Sequence, residues 1–287
     1  MFYQSIRIQI AIITKLINNT KFKIDKGDHL LDTHTHILWN IDDGSKNQCM
    51  SLQMLEIAAR SGTKAIFATP HVIERANKPS WEEIKEKTQQ LRQLCAEAQI
   101  DIMLYPGAEV QMNWELLPEL GATGAYCLNG GRYLLIELPA AEIPAYADEF
   151  WYELELKGIT PILAHPERYQ QLRENPDLLL LWRRRGMLMQ CNSGSFTGMF
   201  GSSVCENAKV LLANGLVDLL GSDGHRSEGR NTDMSRAAAV IRQLAGEEVL
   251  RQLTETNPQA ILKNQEIELK QPKVLLEDKP KSFWQKL

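Results

Sequence analysis

The sequence predicts a parallel α/β fold of about seven strand–helix units, on three coinciding observations. Short apolar runs alternate with longer stretches of helical apolar spacing. Most of the apolar runs lead into a histidine, glutamate or aspartate, and the C-terminal ends of strands are where α/β barrels carry their sites. At 287 residues, 44% of them hydrophobic, the chain suffices for one large barrel or two modest domains with a substantial core.

Leu30 to His34 reads as the first strand, entering Asp32-Thr33-His34-Thr35-His36. Strand side chains alternate, so His34 and His36 share a face. A loop, Asp42 to Asn47, precedes a helix from Ser51 to Arg60 with Leu52, Leu55, Ile57 and Ala58 on its apolar side, ended by Gly62. Lys64 to Thr69 is the second strand, stopped by Pro70 and followed by His71. Ser80 and Glu83 fit a capping box that opens a helix running to about Ala98. Ile102 to Tyr105 is the third strand, closed by Pro106-Gly107 and followed by Glu109; Tyr133 to Glu137 is the fourth. A helix from Tyr146 to Lys157 leads to the strand Gly158 to Ala164, and then to His165. The next helix, Asp177 to Arg185, stops at Gly186 before a strand, Met187 to Gln190. Gly194 to Gly198 is expected to be a flexible rim. A helix from Val204 to Ala213 and a strand from Leu216 to Leu220 lead into Ser222-Asp223-Gly224-His225, and two or three helices close the fold.

Three regions are expected: an extension over 1–26, the barrel over 27–264 and a charged tail over 265–287. Met1 to Ile17 is mildly apolar but broken by Gln4, Arg7, Gln9 and Lys15, too weak for a transmembrane span and without a signal-peptide cleavage site. It reads as an extra strand, a short helix or a membrane-surface contact. The five cysteines form no C-x-x-C pair, which points to a reducing compartment and a cytoplasmic protein. The formal charge of -4, with both signs mixed, argues against a generic nucleic-acid binder.

Five of the six histidines, His34, His36, His71, His165 and His225, fall at strand ends or just beyond. Glu109, Glu137 and Asp223 occupy equivalent places, and Asp43 lies close enough to fold back toward them. His29 precedes the first strand and lacks this company. One such residue is usually structural, a histidine bonded to a carbonyl. Eight at consecutive strand ends, with Asp43, point instead to a metal centre. Nitrogen and oxygen donors suit Mn, Fe or Zn and argue against a thiolate site. There are more donors than one tetrahedral ion needs, so two or three ions with Glu109 bridging is the better reading. Cations would compensate the buried charge and could activate water. Arg168, Arg230, Arg226 and Arg75 lie near these residues in sequence, and arginine matches phosphate oxygens. The combination describes a metal-assisted phosphomonoesterase. No C-x5-R loop and no G-x-x-x-x-G-K cradle suggests another phosphate chemistry. Met54, Trp81 and Trp182 read as core, and Trp39 as a pocket wall or a packing group.

Asp32-Thr33-His34-Thr35-His36 with Ile41-Asp42-Asp43-Gly44, Thr69-Pro70-His71, Gly107-Ala108-Glu109, Leu135-Ile136-Glu137, Pro161 to Tyr169 and Ser222-Asp223-Gly224-His225 carry a resemblance. Over Leu31 to Leu262 the chain resembles the polymerase-and-histidinol-phosphatase (PHP) superfamily. Within it, the chain is most similar to the manganese-dependent bacterial protein-tyrosine phosphatases of capsule and exopolysaccharide loci. The resemblance implies a distorted (β/α)7 barrel with a trinuclear metal site holding two or three ions, Mn2+ in the first place and Fe, Zn or Mg as other occupants. It implies that His34, His36, Glu109 and Asp223 hold one ion, and Glu109, His71 and His165 a second with Glu137 close by. Asp43 and His225 would complete a third position and orient water or the leaving group, and Arg168 and Arg230 would grip phosphate. The implied substrate is the tyrosine-rich C-terminal tail of an autophosphorylating bacterial tyrosine kinase, met in the cytoplasm or transiently at the inner membrane face. A homo-oligomer is left open. The extensions, and Val72-Ile73-Glu74-Arg75 where some relatives carry arginine directly after the histidine, depart from the pattern. Three alternatives stand beside this reading: a small-molecule phosphatase such as histidinol phosphatase, a polymerase-associated exonuclease domain, and a non-catalytic module that binds a phosphotyrosine tail.

Overall fold

The computed structural model describes residues 29–121, 124–270 and 272. The expectations for Met1 to Ile17 and for most of the charged tail lie outside the described residues.

Parallel strands form the core. They are β1 (Leu30–Thr35), β2 (Thr63–Ala68), β3 (His71–Val72), β4 (Met103–Pro106), β5 (Glu109–Gln111), β6 (Tyr133–Glu137), β7 (Thr160–Ala164), β8 (Leu188–Asn192) and β9 (Leu219–Gly221). One sheet runs β1-β2-β4 and the other β3-β5-β6-β7-β8-β9, with every pairing parallel. The expected second and third strands are each interrupted and then resume, as β2/β3 across Thr69-Pro70 and as β4/β5 across Gly107-Ala108. Pro70 has no N–H for the ladder, so pairing must break there. Gly107 N to Ala68 O (2.9 Å) and Glu109 N to Pro70 O (3.0 Å) carry the register across the gap. Counting each interrupted pair once leaves seven strand positions. The last meets the first: Asp223 N donates to His34 O at 2.7 Å and His36 N to Gly224 O at 2.9 Å, while Thr35 bridges Gly224 in parallel. The distorted seven-stranded (β/α) barrel expected from the sequence is the architecture observed.

Alternation along the strands sorts side chains into two clusters. Tyr133 and Leu135 of β6, Ile162 and Ala164 of β7, Leu188 of β8 and Leu219 of β9 join Phe67 in one cluster. Leu134, Ile136, Leu163, Met189, Cys191 and Leu220, at the intervening positions, join the larger cluster shared with the helices. The first series runs on into polar residues at the strand ends: Glu137 on β6, Gln190 and Asn192 on β8, and Asp223 two residues beyond Gly221. The site is therefore the last layer of the barrel's own filling.

Helices α1 (Gln48–Arg60), α2 (Trp81–Glu97), α3 (Ala147–Leu156), α4 (Gln170–Glu174), α5 (Pro176–Arg184), α6 (Ser193–Phe196), α7 (Ser202–Ala213), α8 (Ser235–Ala245), α9 (Glu247–Arg251) and α10 (Asn257–Leu262) follow the strands. Ser80 Oγ accepts from Glu83 N at 3.1 Å, the N-cap half of the expected capping box. Helix α1 starts earlier than expected, because the Asn47 side chain caps it by accepting from Met50 N at 2.9 Å. Its buried face is Ser51, Met54, Leu55 and Ala58, while Leu52 and Ile57 are only partly covered. The segment expected as a flexible rim is in part a buried helical turn: Gly194, Ser195 and Phe196 lie in α6 and are buried, whereas Thr197 is partly covered and Gly198 exposed. Trp182 and Met54 are core residues and Trp81 is buried, as expected. Trp39 is partly buried against the core, with the Lys87 ammonium 5.2 Å from its ring centroid.

Candidate metal centre

Register brings the donors together. His71 pairs with Glu109, and Gln111 with Glu137, so the ends of β3, β5 and β6 stand side by side. On β1, alternation places Asp32, His34 and His36 on one face. Two donors reach the site through strained backbone: His165 (φ 36°) and Asp223 (φ 52°) both lie in the left-handed region, where non-glycine residues are rare and often functional.

Three groups of donors have ligand atoms within 4.8 Å of one another: His34, His36 and Asp223; His71, Glu109 and Glu137; and His36, Asp43, His71 and His225. Glu109 Oε2 lies 3.1 Å from His34 Nε2, 3.3 Å from His36 Nε2 and 3.1 Å from His71 Nδ1, at the junction of the groups. Its other oxygen is 2.9 Å from His165 Nε2. All nine donors named from the sequence thus fall in one cluster, and His29 is exposed outside it.

Hydrogen bonds on the far side of the rings decide what the near side offers. His36 Nδ1 donates to Asp42 Oδ2 at 2.7 Å. His34 Nδ1 lies 2.9 Å from Gln190 Oε1, an amide whose nitrogen already donates to Cys191 O and to Asn192 Oδ1, so His34 is the donor there. With both Nδ1 atoms committed to these bonds, the two Nε2 atoms, 3.1 Å apart, face Glu109 and Asp223, and in the neutral rings they are the atoms that carry the lone pairs. Buried Asp223 Oδ1, His71 Nδ1 and His225 Nε2 have no hydrogen bond. Buried acceptors that converge without donors are costly, and a cation removes the cost. The donor chemistry and the orphaned atoms fit divalent ions with nitrogen and oxygen ligands.

Charge in the protein itself follows the same pattern. Burial alone would raise the Glu109 and Asp223 carboxyls. His34, His71 and a His165 hydrogen bond for Glu109, and His34, His36 and Arg230 for Asp223, hold both well below the ordinary carboxylate range. Burial disfavours the charged imidazoles of His34 and His36, yet Glu109 and Asp223 around the first, and Asp42, Asp223 and Glu109 around the second, raise both above 6.5. His225 is different. Burial, with His36 and Arg230 nearby, pushes it down to about 4 despite the Asp43 contact, so it is neutral at neutral pH. Its Nδ1 donates to Asp223 O at 2.9 Å, leaving Nε2 as an acceptor 3.3 Å from Asp43 Oδ1. The Asp43 side chain is 65% exposed, so this group opens to solvent.

Arg168 Nη1 donates to Asp223 Oδ2 at 3.3 Å, and Arg230 Nη2 bonds the same oxygen. The other two arginines act elsewhere. Arg75 pairs with Glu115 at 2.6 Å and is exposed. Arg226 Nη1 donates to Asp43 O (2.5 Å) and Gly44 O (2.7 Å), tying the Asp43 loop to the segment carrying His225.

The family model described as capsular polysaccharide synthesis, CpsB/CapC, matches residues 30–263. This chain belongs to the CpsB/CapC family. Its similar relatives include the tyrosine-protein phosphatase YwqE of Bacillus subtilis, 34% identical over 83% of this chain and 93% of YwqE. The tyrosine-protein phosphatase CpsB of Streptococcus pneumoniae is 28% identical over 82% of this chain and 99% of its own. A crystal structure from a study of YwqE and CpsB, described as unique metal-dependent tyrosine phosphatases, superposes with a TM-score of 0.80 at 33% identity, over 86% of this chain and all of the other.

Reading this CpsB/CapC member from its sequence missed the residues that orient the donors. Asp42 also accepts from His71 N at 2.9 Å and so serves two of the candidate donors. Asn192 donates to Asp223 Oδ2 at 2.5 Å, and Gln190 fixes the His34 tautomer. The alternation rule could have found Gln190 and Asn192, because they share a strand face with Leu188. Glu167, within the Pro-Glu-Arg-Tyr segment, accepts from Ser195 Oγ (2.6 Å) and Asn192 N (2.9 Å), which pins α6 under the site.

Proposed function

We propose that this protein is a metal-dependent protein-tyrosine phosphatase that hydrolyses phosphotyrosine monoesters. The observation that carries the reading is the convergence of nine nitrogen and oxygen donors, His165 joining through Glu109, beside two arginines that share Asp223, in a family whose relatives are named tyrosine-protein phosphatases.

In this reading His34, His36, Glu109 and Asp223 hold one ion, and His71, Glu109 and His165 hold a second, with Glu137 beside them. Asp43 and His225 complete the open third position with His36 and His71. Bound manganese would supply Lewis acidity and a water nucleophile at neutral pH. Arg168 and Arg230 orient the phosphate oxygens, and their bonds to Asp223 aim both guanidinium groups at the cluster. Asp43, its carboxyl held below the ordinary carboxylate range, and neutral His225 orient water or the leaving group at the solvent side. Asp42 and Gln190 keep the His36 and His34 rings turned inward.

The substrate we assign is the phosphotyrosine tail of a bacterial tyrosine autokinase controlling polysaccharide synthesis or export, a flexible segment suited to an open site at a barrel mouth. Among the described residues no helix is long and apolar enough to cross a membrane.

The test is hydrolysis of a phosphotyrosine peptide by metal-stripped protein before and after adding manganese, with His36→Ala and histidinol phosphate alongside. Manganese-restored peptide turnover that the substitution abolishes is the expected result. Metal binding with turnover of histidinol phosphate but not of the peptide would refute it and favour a small-molecule phosphatase.

A further inference from the structure

We propose that Phe200 is the aryl-binding wall of the site and makes the enzyme prefer aromatic phosphates to ring-free ones. The inference rests on the phosphotyrosine reading above and adds a specificity-determining residue to it.

Phe200 lies in the loop between α6 and α7. The Arg168 guanidinium carbon is 4.7 Å from its ring centroid, and that of Arg230 is 5.7 Å away. These are the two arginines on Asp223, whose other oxygen faces His34 and His36. The ring therefore stands beside both guanidinium groups at the rim of the cluster. It is only half-buried, and its neighbour Met199 is 48% exposed.

The loop holds the ring in place. Met199 N and Thr197 Oγ1 both donate to Gly194 O, at 3.0 and 3.1 Å. A Cβ on Gly194 would come 3.1 Å from Phe200 Cε2 and 2.9 Å from Met199 Sδ, so the loop packs directly on the α6 backbone. A large apolar ring fixed at the rim, rather than in the core, has two readings. It could stiffen the arginines through cation–π contact. It also offers a flat apolar surface next to the phosphate those arginines would grip. The aryl group of a bound ester lies one ester bond beyond phosphorus, within the separation at which aromatic pairs stack offset or edge-on. Stiffening would serve every phosphate alike, whereas ring contact serves aryl esters alone.

The experiment compares kcat/KM of the full-length, manganese-loaded enzyme with Phe200→Leu and Phe200→Trp. The substrates are a phosphotyrosine peptide, 4-nitrophenyl phosphate and acetyl phosphate, the last having a good leaving group and no ring. Phe200→Leu should lose about three- to tenfold on both aryl esters, mainly through KM, and less than about twofold on acetyl phosphate. Phe200→Trp should keep the aryl preference. Phe200→Met supplies a second ringless side chain if the Leu variant fails to fold. An equal loss on all three substrates would overturn the inference and leave Phe200 as an arginine brace. Wild-type turnover of acetyl phosphate without any of the phosphotyrosine peptide would instead overturn the proposed function.

Discussion

Replacing Gln190 by leucine tests whether the metal centre depends on a residue that touches no ion. Gln190 Nε2 donates to Cys191 O at 2.7 Å and Asn192 Oδ1 at 3.1 Å, which leaves Oε1 to accept from His34 Nδ1 at 2.9 Å. That bond fixes the tautomer in which His34 Nε2 presents a lone pair 3.1 Å from Glu109 Oε2. Leucine fills similar space but frees the ring to protonate at Nε2 or to turn. Loss of such an orienting partner costs about 10- to 100-fold in metal affinity, roughly 1.4 to 2.7 kcal/mol. The variant also strands buried polar groups of Cys191, Asn192 and His34, so about 1–3 kcal/mol of folding stability should go as well. Manganese titration by calorimetry on folded protein separates the two effects. Because Gln190 is remote from substrate, saturating manganese should restore most of the activity. Affinity within about twofold of wild type would refute the orienting role.

Three further substitutions report on the frame. Gly221→Ala would put a Cβ 2.5 Å from His34 Cβ and 2.8 Å from Gln190 Nε2, and His34 N at 3.0 Å allows no retreat. A loss of about 1–3 kcal/mol together with reduced bound manganese is expected, read by thermal melting and metal analysis. Arg183→Met should cost about 3–5 kcal/mol in urea unfolding, because Asp218 would stay buried with its charge unmatched; adding Asp218→Asn should recover part of it. Tyr169→Phe removes a hydroxyl that accepts from Leu138 N (2.9 Å) and donates to Leu138 O (3.2 Å) beside Glu137, and should cost about 1–3 kcal/mol by melting.

What could be read in advance follows the range of the physics involved. His34 and His36 share a face because strand alternation is local, and Glu137 follows from the same rule at the end of β6. Pro70 stops β2 by lacking a donor, but that the strand resumes at His71 depends on pairing with Glu109, which no local pattern encodes. The partner of His34 is 156 residues away on β8, and its role needed the barrel's register. The left-handed backbone at His165 and Asp223 was equally hidden, since neither residue type announces it. Asp42 stood in the quoted motif, but only geometry separates its task from that of Asp43. The first orients His36 and the backbone of His71, while the second reaches His225 at the open side. In α1, counting Leu52 and Ile57 on the apolar side and leaving out Ser51 was an error that single-helix periodicity does not prevent.

The charges of the cluster also set how metal and protons compete. Without ions, the imidazoles of His34, His36 and His71 are raised above 6.5, mainly by Glu109, Asp223, Asp42 and Glu137 overcoming burial. A raised imidazole stabilises the fold fully below its unfolded value of 6.5, and this is lost as pH rises through the folded value. The depressed Glu109 and Asp223 act oppositely: their contribution is present above the unfolded values of 4.5 and 3.8, and is lost as pH falls through the folded ones. The metal-free protein should thus lose stability from this cluster as pH climbs past the raised imidazole values. Metal binding requires neutral imidazoles, so it must expel those protons, and its affinity grows with pH. The gap in melting temperature between manganese-loaded and stripped protein should therefore widen from about pH 5.5 to about pH 8. Calorimetry near pH 6.5 in buffers of different ionisation enthalpy should record net proton release on binding. A constant gap, or binding without proton release, would mean that the imidazoles are already neutral and that the carboxylates do not hold protons on them.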